Sequence, residues 1–158
     1  MAKKFKFRLE KLLKVRRTRE KLALAKLVAL KVALENEKEK LRTLQARETA
    51  LIQRMTPHRG KTIDIQELEQ CRYAIEKVQK QQSEQEFAVQ AAAQAVVDQE
   101  KAVSKARQDV KVLEELREQQ LLEFKAEMLR EEQVFLDDIA GQMYSRKRRT
   151  EAEEKELA

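Results

Sequence analysis

Residues 55–64 read MTPHRGKTID and contain the only proline of the chain and one of its two glycines. Proline disfavours helical backbone angles at the residue before it, so a helix approaching this stretch should end near Met55. Gly60 supplies the permissive backbone that a chain reversal needs, and Lys61 and Thr62 are expected to face water. We interpret residues 56–63 as a turn.

A second helix should start directly after this turn. Asp64 is a suitable N-cap residue, and Glu67 follows it three positions later. Ile63 is expected to pack against Leu68 across the start of the helix.

The turn also resembles the end of a phosphate-binding loop, because Gly60-Lys61-Thr62 matches the last three letters of the P-loop signature. That signature needs a glycine five residues earlier, where Met55 stands, and a β-strand before the loop. No apolar β run precedes this stretch, so we reject a nucleotide site.

Composition agrees with long helices. Of the 158 residues, 39% are charged and 4% are aromatic, and glycine and proline together number three, which is typical of coiled coils. No apolar run approaches the roughly 18 residues that span a bilayer, and the N-terminal stretch is too charged for a signal peptide. We therefore expect a cytoplasmic protein, and its single Cys71 cannot form an internal disulfide.

Hydrophobic periodicity on both sides of the turn follows the 3-4 spacing of heptad repeats. In the first half this spacing runs through Leu9, Leu13, Arg16, Glu20, Ala23, Leu27, Leu30, Leu34, Glu37, Leu41, Leu44, Glu48, Leu51 and Met55. In the second half it runs through Leu68, Cys71, Ile75, Val78, Gln82, Gln85, Val89, Ala92, Val96, Gln99, Val103, Ala106, Val110 and Leu113.

The predicted fold is all-α, with two long helices forming an antiparallel coiled-coil hairpin whose second helix is longer. We expect one elongated domain, with helix 1 over about 8–55, a turn over 56–63, helix 2 over about 64–140 and a frayed tail over 141–158.

The predicted register of the two helices places side by side those residues whose numbers sum to 119. This register sets Leu9 beside Val110, and it brings polar seam residues together by placing Glu37 beside Gln82 and Glu20 beside Gln99. Sliding by one heptad loses both polar matches.

The same register leaves about forty residues of helix 2 beyond the N-terminus. An apolar pattern continues there without a partner in the chain, and such a face marks a protein interface. Its members are Leu121, Phe124, Met128, Phe135, Ile139 and Met143, with Leu122, Leu129, Leu136 and Tyr144 beside them.

Catalytic and metal-binding constellations are not predicted. His58 is the only histidine and lies in the turn, and Cys71 falls on the seam, where it is interpreted as a small buried hydrophobe. We predict that the chain is not an enzyme and uses no cofactor or metal.

Basic residues are concentrated at the start of the chain. Residues 1–31 carry twelve Lys or Arg and two Glu, a net charge of +10, and Arg146–Arg149 form a second basic group. A solvated helix face is the simplest interpretation, and charge-driven binding of nucleic acid or anionic lipid is the alternative. Nucleic-acid modules usually interleave aromatic residues for stacking, and only Phe5 and Phe7 are close to the basic run.

Two stretches are similar to a known family. FKFRLEKLLKVRRTRE (residues 5–20) resembles the opening, and EEQVFLDDIAG (residues 131–141) the closing segment, of the FliJ family of the flagellar type III export apparatus. The resemblance implies a non-enzymatic stalk, similar in shape to the coiled coil of the rotary ATPase γ subunit, that promotes assembly and activity of the hexameric export ATPase.

The resemblance also implies partners and contact residues. The partners are the export ATPase (FliI-like), the export gate protein (FlhA-like) and the export chaperones, with the protein held peripherally at the cytoplasmic face of the inner membrane at the flagellar base. The implied ATPase-ring contacts are Phe5, Phe7, Arg8, Leu9, Phe124, Met128, Phe135, Leu136, Asp137 and Ile139. The implied gate contacts are Leu68, Tyr73 and Ile75.

Three alternatives stay open at this point. A stalk from a virulence secretion system would have the same shape, a nucleic-acid-binding coiled coil would use the basic residues, and a homodimeric scaffold would pair its helices between molecules. The intramolecular hairpin predicts a monomer in isolation.

Overall fold

Two long helices account for nearly all of the described structure. The computed structural model describes residues 3–56, 62 and 64–158. Helix α1 spans Glu10–Met55 and contains 46 residues, and helix α2 spans Ile65–Leu157 and contains 93 residues. No strand occurs among the described residues. The predicted all-α antiparallel hairpin with a longer second helix is confirmed.

The ends of the helices that flank residues 56–64 agree with the sequence signals. Helix α1 ends at Met55, as predicted. Asp64 caps helix α2, because its Oδ1 accepts a hydrogen bond of 3.3 Å from the backbone N–H of Gln66. Glu67 pairs with Arg54 at 3.5 Å. Thr62 is exposed, as expected. The predictions for Pro57, His58, Gly60, Lys61 and Ile63 lie outside the described residues.

The predicted heptad seam is the buried face of both helices. All fourteen seam positions from Leu9 to Met55 are half-buried or buried, and so are all those of α2 except Leu68, which is 38% exposed. Cys71 is buried, as expected. The 3-4 spacing therefore identified the packing surface along the whole length over which it was traced.

The chain divides into two compact units, one made of Val15–Asp109 and the other of Met1–Lys14 with Val110–Ala158. In the first unit the two helix segments run antiparallel. Ion pairs show this, because residues further along α1 pair with residues progressively earlier in α2. The ion pairs that show this are Arg16–Asp109 at 3.1 Å, Glu20–Arg107 at 3.5 Å, Lys31–Glu100 at 3.4 Å and Arg54–Glu67 at 3.5 Å. Whether the whole chain acts as a single domain stays a prediction.

Polar seam residues of this unit bond to one another, as expected, but the partners differ from those predicted. Gln85, not Gln82, donates to the Glu37 carboxylate and, at 3.0 Å, to its backbone carbonyl. Gln82 donates to Glu48 at 2.8 Å. Helical side chains slope toward the N-terminus of their own helix. This slope shifts a contact by about one turn, which fits Gln85 in place of Gln82 beside Glu37. Gln82 itself lies eleven positions beyond residue 71, which the predicted register sets level with Glu48, so the register of this unit differs from the predicted one.

The second polar match is also wrong, and by more than this slope explains. Glu20 was paired with Gln99 in the predicted register, whereas the structure pairs it with Arg107. Gln99 instead donates to the backbone carbonyl of Ala23 at 3.0 Å. Each polar seam residue still has a polar partner, which avoids the cost of burying it against hydrocarbon.

Two seam carboxylates have lowered pKa values. Hydrogen bonds from Lys40 and then Gln85 lower the pKa of Glu37, and those from Gln79 and Gln82 lower the pKa of Glu48. Each donor favours the ionised form of the carboxylate that it contacts. The seam at these two positions therefore depends on ionised glutamate.

The second unit contains a cluster of buried apolar residues. Phe7, Leu13, Val110 and Leu113 form it, and Phe5, Leu9 and Leu116 pack against it. Leu13 is completely buried. The predicted neighbours Leu9 and Val110 are both part of this cluster.

Helix α2 is longer than predicted. The expected end near residue 140 and the frayed tail over 141–158 are wrong, because α2 continues through Gly141 to Leu157. One glycine costs a helix about 1 kcal/mol relative to alanine but keeps its backbone hydrogen bonds. The residues that follow are mostly Arg, Lys, Glu and Ala, which are strong helix formers and offset this cost.

Candidate partner-binding surfaces

The N-terminal segment, residues 3–9, is not helical and packs against α2. Aromatic and basic residues alternate in the stretch Lys4-Phe5-Lys6-Phe7-Arg8, and this period of two is the period of extended backbone. Both aromatic side chains are turned into the protein, Phe7 being 7% exposed, while the three basic residues are exposed. The alternation could have revealed this conformation from sequence.

Contacts of this segment reach far along α2. The ring of Phe5 lies 5.7 Å from that of Phe124, centroid to centroid, and Lys3 Nζ lies 2.7 Å from the Glu131 carboxylate. The expectation that about forty residues of helix 2 extend beyond the N-terminal segment is therefore wrong, because Lys3 already contacts Glu131. An extended chain advances about 3.3 Å per residue and a helix 1.5 Å, so a few extended residues cover a long stretch of α2.

The structure separates the ten implied ring contacts into two groups. Five of them have buried or half-buried side chains: Phe5, Phe7, Leu9, Phe124 and Met128. Phe5, Phe7 and Leu9 belong to or pack against the apolar cluster, and Phe124 contacts Phe5. The other five are exposed: Arg8, Phe135, Leu136, Asp137 and Ile139.

The exposed group lies mostly on the last part of α2, where every residue from 131 to 158 is exposed. Apolar side chains recur there at helical spacing and cover one side of the helix. We call this surface the terminal apolar face; it consists of Leu129, Phe135, Leu136, Ile139 and Met143, between 38% and 67% exposed. No described residue of this unit covers it. Contiguous exposed apolar surface of this kind is typical of a binding site.

The three implied gate contacts do not share one side of α2. Residues on a helix are separated by about 100° per position, so Leu68 and Ile75 lie on the same side, and Tyr73 lies about 140° from Leu68 and about 160° from Ile75. Ile75 is half-buried in the seam and Tyr73 is 71% exposed. Leu68 and Ile75 therefore share one side of α2, and Tyr73 lies on a different side.

Helix α1 carries a second apolar surface that the sequence interpretation missed. Val15, Leu22, Val28 and Val32 are between 48% and 66% exposed although the seam residues of the same stretch are half-buried. The signal was available in LALAKLVALKVAL, residues 22–34, which contains only two charged residues. A helix that is apolar on opposite sides differs from the usual amphipathic surface helix.

The described residues offer no metal site and no membrane-spanning helix. No group of three or more His, Cys, Asp or Glu side chains is arranged to hold a metal ion within that part of the chain. No helix of the described ranges is long and apolar enough to cross a membrane. What the described surface offers is apolar and charged area for binding other macromolecules.

A family model described as Flagellar FliJ protein matches residues 5–149, a range that includes most of the N-terminal segment, helix α1, helix α2 as far as Arg149, and the terminal apolar face. No curated protein and no solved structure was found to match the chain.

Proposed function

The chain belongs to the FliJ family of flagellar proteins, a family of structural components of flagellar type III protein export, and on that premise we propose that it is the stalk of the export ATPase. In this role it binds the ATPase ring, promotes assembly of the hexamer and raises its activity. The ATPase supplies the chemistry and this chain supplies geometry, so it is not itself an enzyme.

The terminal apolar face is the observation that carries the proposal. It lies on a continuous helix, is exposed over residues 131–158, and has no cover from the described residues of its own unit. Burying a side chain such as Phe or Ile stabilises an interface by about 1.5–3 kcal/mol. Phe135 and Ile139 together could therefore account for a large part of the binding free energy for the ring.

The two groups of implied ring contacts have different roles in this proposal. Phe135, Leu136, Asp137 and Ile139 contact the ring directly, together with the exposed Arg8. The buried or half-buried group keeps the N-terminal segment on α2, and its members are Phe5, Phe7, Leu9, Phe124 and Met128. Substitutions in the second group should weaken ring binding through loss of this packing.

Further partners follow from family membership. We propose that the export gate and the export chaperones also bind this chain, and that it acts at the cytoplasmic face of the inner membrane at the flagellar base. Tyr73 is the most exposed of the three implied gate residues. Leu68 and Ile75 are close to or within the seam, so Tyr73 is the best position for testing gate contact.

The ring contact is tested with a Phe135→Ala, Ile139→Ala double variant. Its helical circular dichroism should match that of the wild type, because both side chains are exposed. The concentration needed to raise hexamer yield and ATPase rate should increase at least tenfold, in line with the loss of about 1.4 kcal/mol or more.

Val112→Ala is the matched control. Val112 is 63% exposed, close to the 65% of Phe135, and is not part of the terminal apolar face. It should stimulate the ATPase as the wild type does. Equal stimulation by the double variant and the control would overturn the assignment of this face to the ring.

A further inference from the structure

We propose that the outer side of α1 binds an acidic amphipathic helix of a partner protein. The surface, which we call the outer stripe, consists of Val15, Thr18, Leu22, Ala25, Ala29 and Val32. These residues follow one another at intervals of three, four, three, four and three. This is the spacing of a heptad seam, and it is separate from the seam that packs against α2.

The outer stripe is exposed along its whole length. Leu22 is 66%, Val32 is 55% and Val15 is 48% exposed, and the residues between them are classed as exposed too. On the opposite side of the same turns, Ala23, Leu27 and Leu30 are half-buried against α2. A helix with an apolar seam on each of two opposite sides is suited to lie between two other helices.

Charge at the edges of the stripe determines the kind of helix that fits. At 100° per residue, Arg19 and Lys26 border one edge and Lys21 borders the other. All three are exposed, and none of the described residues forms an ion pair with them. The only carboxylate between residues 11 and 34 is Glu20, which pairs with Arg107 on the seam side.

On the seam side of the same stretch, basic residues of α1 already form ion pairs. Arg16 pairs with Asp109 at 3.1 Å and Lys31 with Glu100 at 3.4 Å, so basic residues of α1 meet acidic residues of α2. Charges that flank a heptad seam select the partner through pairs of this type. The unpaired basic edges of the outer stripe therefore fit a helix with Asp or Glu beside its apolar positions.

A lipid surface is the other anionic partner that a basic apolar helix fits. Interfacial helices place Trp, Phe and Leu in the headgroup region. The outer stripe contains no aromatic residue, and two of its six members are alanine. Small residues in a narrow 3-4 stripe allow close approach of another helix, so the stripe favours a helical partner over a bilayer.

The test uses two synthetic helical peptides of 21 residues with fluorescent labels. Both have Leu at position a and Ala at position d of each heptad; one has Glu at e and g, and the other has Lys. Fluorescence anisotropy of each peptide is measured against the full chain. The proposal requires saturable binding of the Glu peptide, at least tenfold tighter than that of the Lys peptide.

Two variants locate the binding on the stripe. Leu22→Glu with Val32→Glu should weaken binding of the Glu peptide at least tenfold, whereas Val112→Glu, at an equally exposed apolar position elsewhere, should leave it unchanged. Reversing the edges with Arg19→Glu, Lys21→Glu and Lys26→Glu should exchange the preference, so that the Lys peptide binds more tightly.

Several results would overturn the proposal. They are absence of binding by the Glu peptide, equal binding by the wild type and the Leu22→Glu, Val32→Glu variant, and loss of binding in the Val112→Glu control. A further result that would overturn the proposal comes from sedimentation of the chain with vesicles containing 30% phosphatidylserine. If vesicles bind the chain through Leu22 and Val32 while the Glu peptide does not, the stripe is a lipid-binding surface instead. The test needs no ATPase, so its outcome is independent of the stalk proposal.

Discussion

The ring of Phe5 lies 5.7 Å from the ring of Phe124 and is tilted by 51° relative to it. One ring comes from a non-helical segment near the N-terminus and the other from a helix position more than a hundred residues later. Tilted aromatic pairs at this distance stabilise proteins by about 0.5–1.5 kcal/mol beyond their area burial. This contact holds the N-terminal segment along the part of α2 that precedes the terminal apolar face.

We predict a coupling free energy of about 0.5–1.5 kcal/mol between these two residues. The measurement is a double-mutant cycle with Phe5→Leu, Phe124→Leu and the double variant, unfolded in urea. Leucine keeps the apolar character and removes the ring. Strict additivity of the two single substitutions would show that the ring contact does not contribute to stability.

Leu13→Ala should destabilise the protein by about 2–5 kcal/mol, because Leu13 is completely buried and its removal leaves a cavity beside Phe7 and Val110. Leu12→Ala is the matched control, since the neighbouring Leu12 is 40% exposed and its truncation should cost much less. Urea denaturation of both variants gives the comparison. Similar losses for the two variants would contradict the position of this core.

Acid should weaken the seam of the unit that contains Glu37 and Glu48. Hydrogen-bond donors lower the pKa of both carboxyl groups in the folded state, so their contribution is fully present above the unfolded value of about 4.3. It is lost as the pH falls through the lowered folded pKa values, because the unfolded state then binds more protons. The stability of a Glu37→Gln, Glu48→Gln variant should therefore fall less steeply below about pH 4.3 than that of the wild type.

Urea midpoints at pH 7, 5, 4 and 3 measure this difference. The control is Glu84→Gln with Glu86→Gln, which changes the charge equally at two exposed positions of α2. Its pH dependence should follow the wild type more closely. If both double variants had identical pH profiles, general charge and not the two seam carboxylates would set the acid response.

Gly141→Ala should slow hydrogen exchange in the last turns of α2. A Cβ atom placed on Gly141 meets nothing within 4 Å, so alanine fits without displacing a neighbour. Alanine favours a helix by about 1 kcal/mol over glycine, which corresponds to roughly fivefold slower local opening. Exchange at residues 142–157, followed by mass spectrometry, should show this change. Faster exchange in the variant would contradict a continuous helix at this position.

Most of the fold could be predicted because one simple pattern determines it. A 3-4 spacing from Leu9 to Met55 and from Leu68 to Leu113 leaves one buried side for each helix, and the position of Pro57 divides the two runs. The polar partners of Glu37 and Glu20 were not predicted, because matching polar seam residues with one another selected a register several residues away from the one that the hydrogen bonds and ion pairs show.

Other features depend on competition between small free energies. Helix α2 was expected to end near residue 140, but the helix-forming residues after Gly141 outweigh the cost of that glycine. The alternation around Phe5 and Phe7 was present in the sequence, but it covers too few residues to compete with the long helical pattern that follows. The outer stripe was missed because the stronger seam of the same helix had already accounted for its apolar residues.

Cys71 gives the protein a built-in reporter. It is the only cysteine of the chain, and its side chain is 6% exposed on the seam. A maleimide reagent should react with it only when α1 and α2 separate locally, so the labelling rate gives the frequency of that opening. The same assay, run while the ATPase hydrolyses ATP, would show whether α1 and α2 separate near Cys71 during turnover or stay paired.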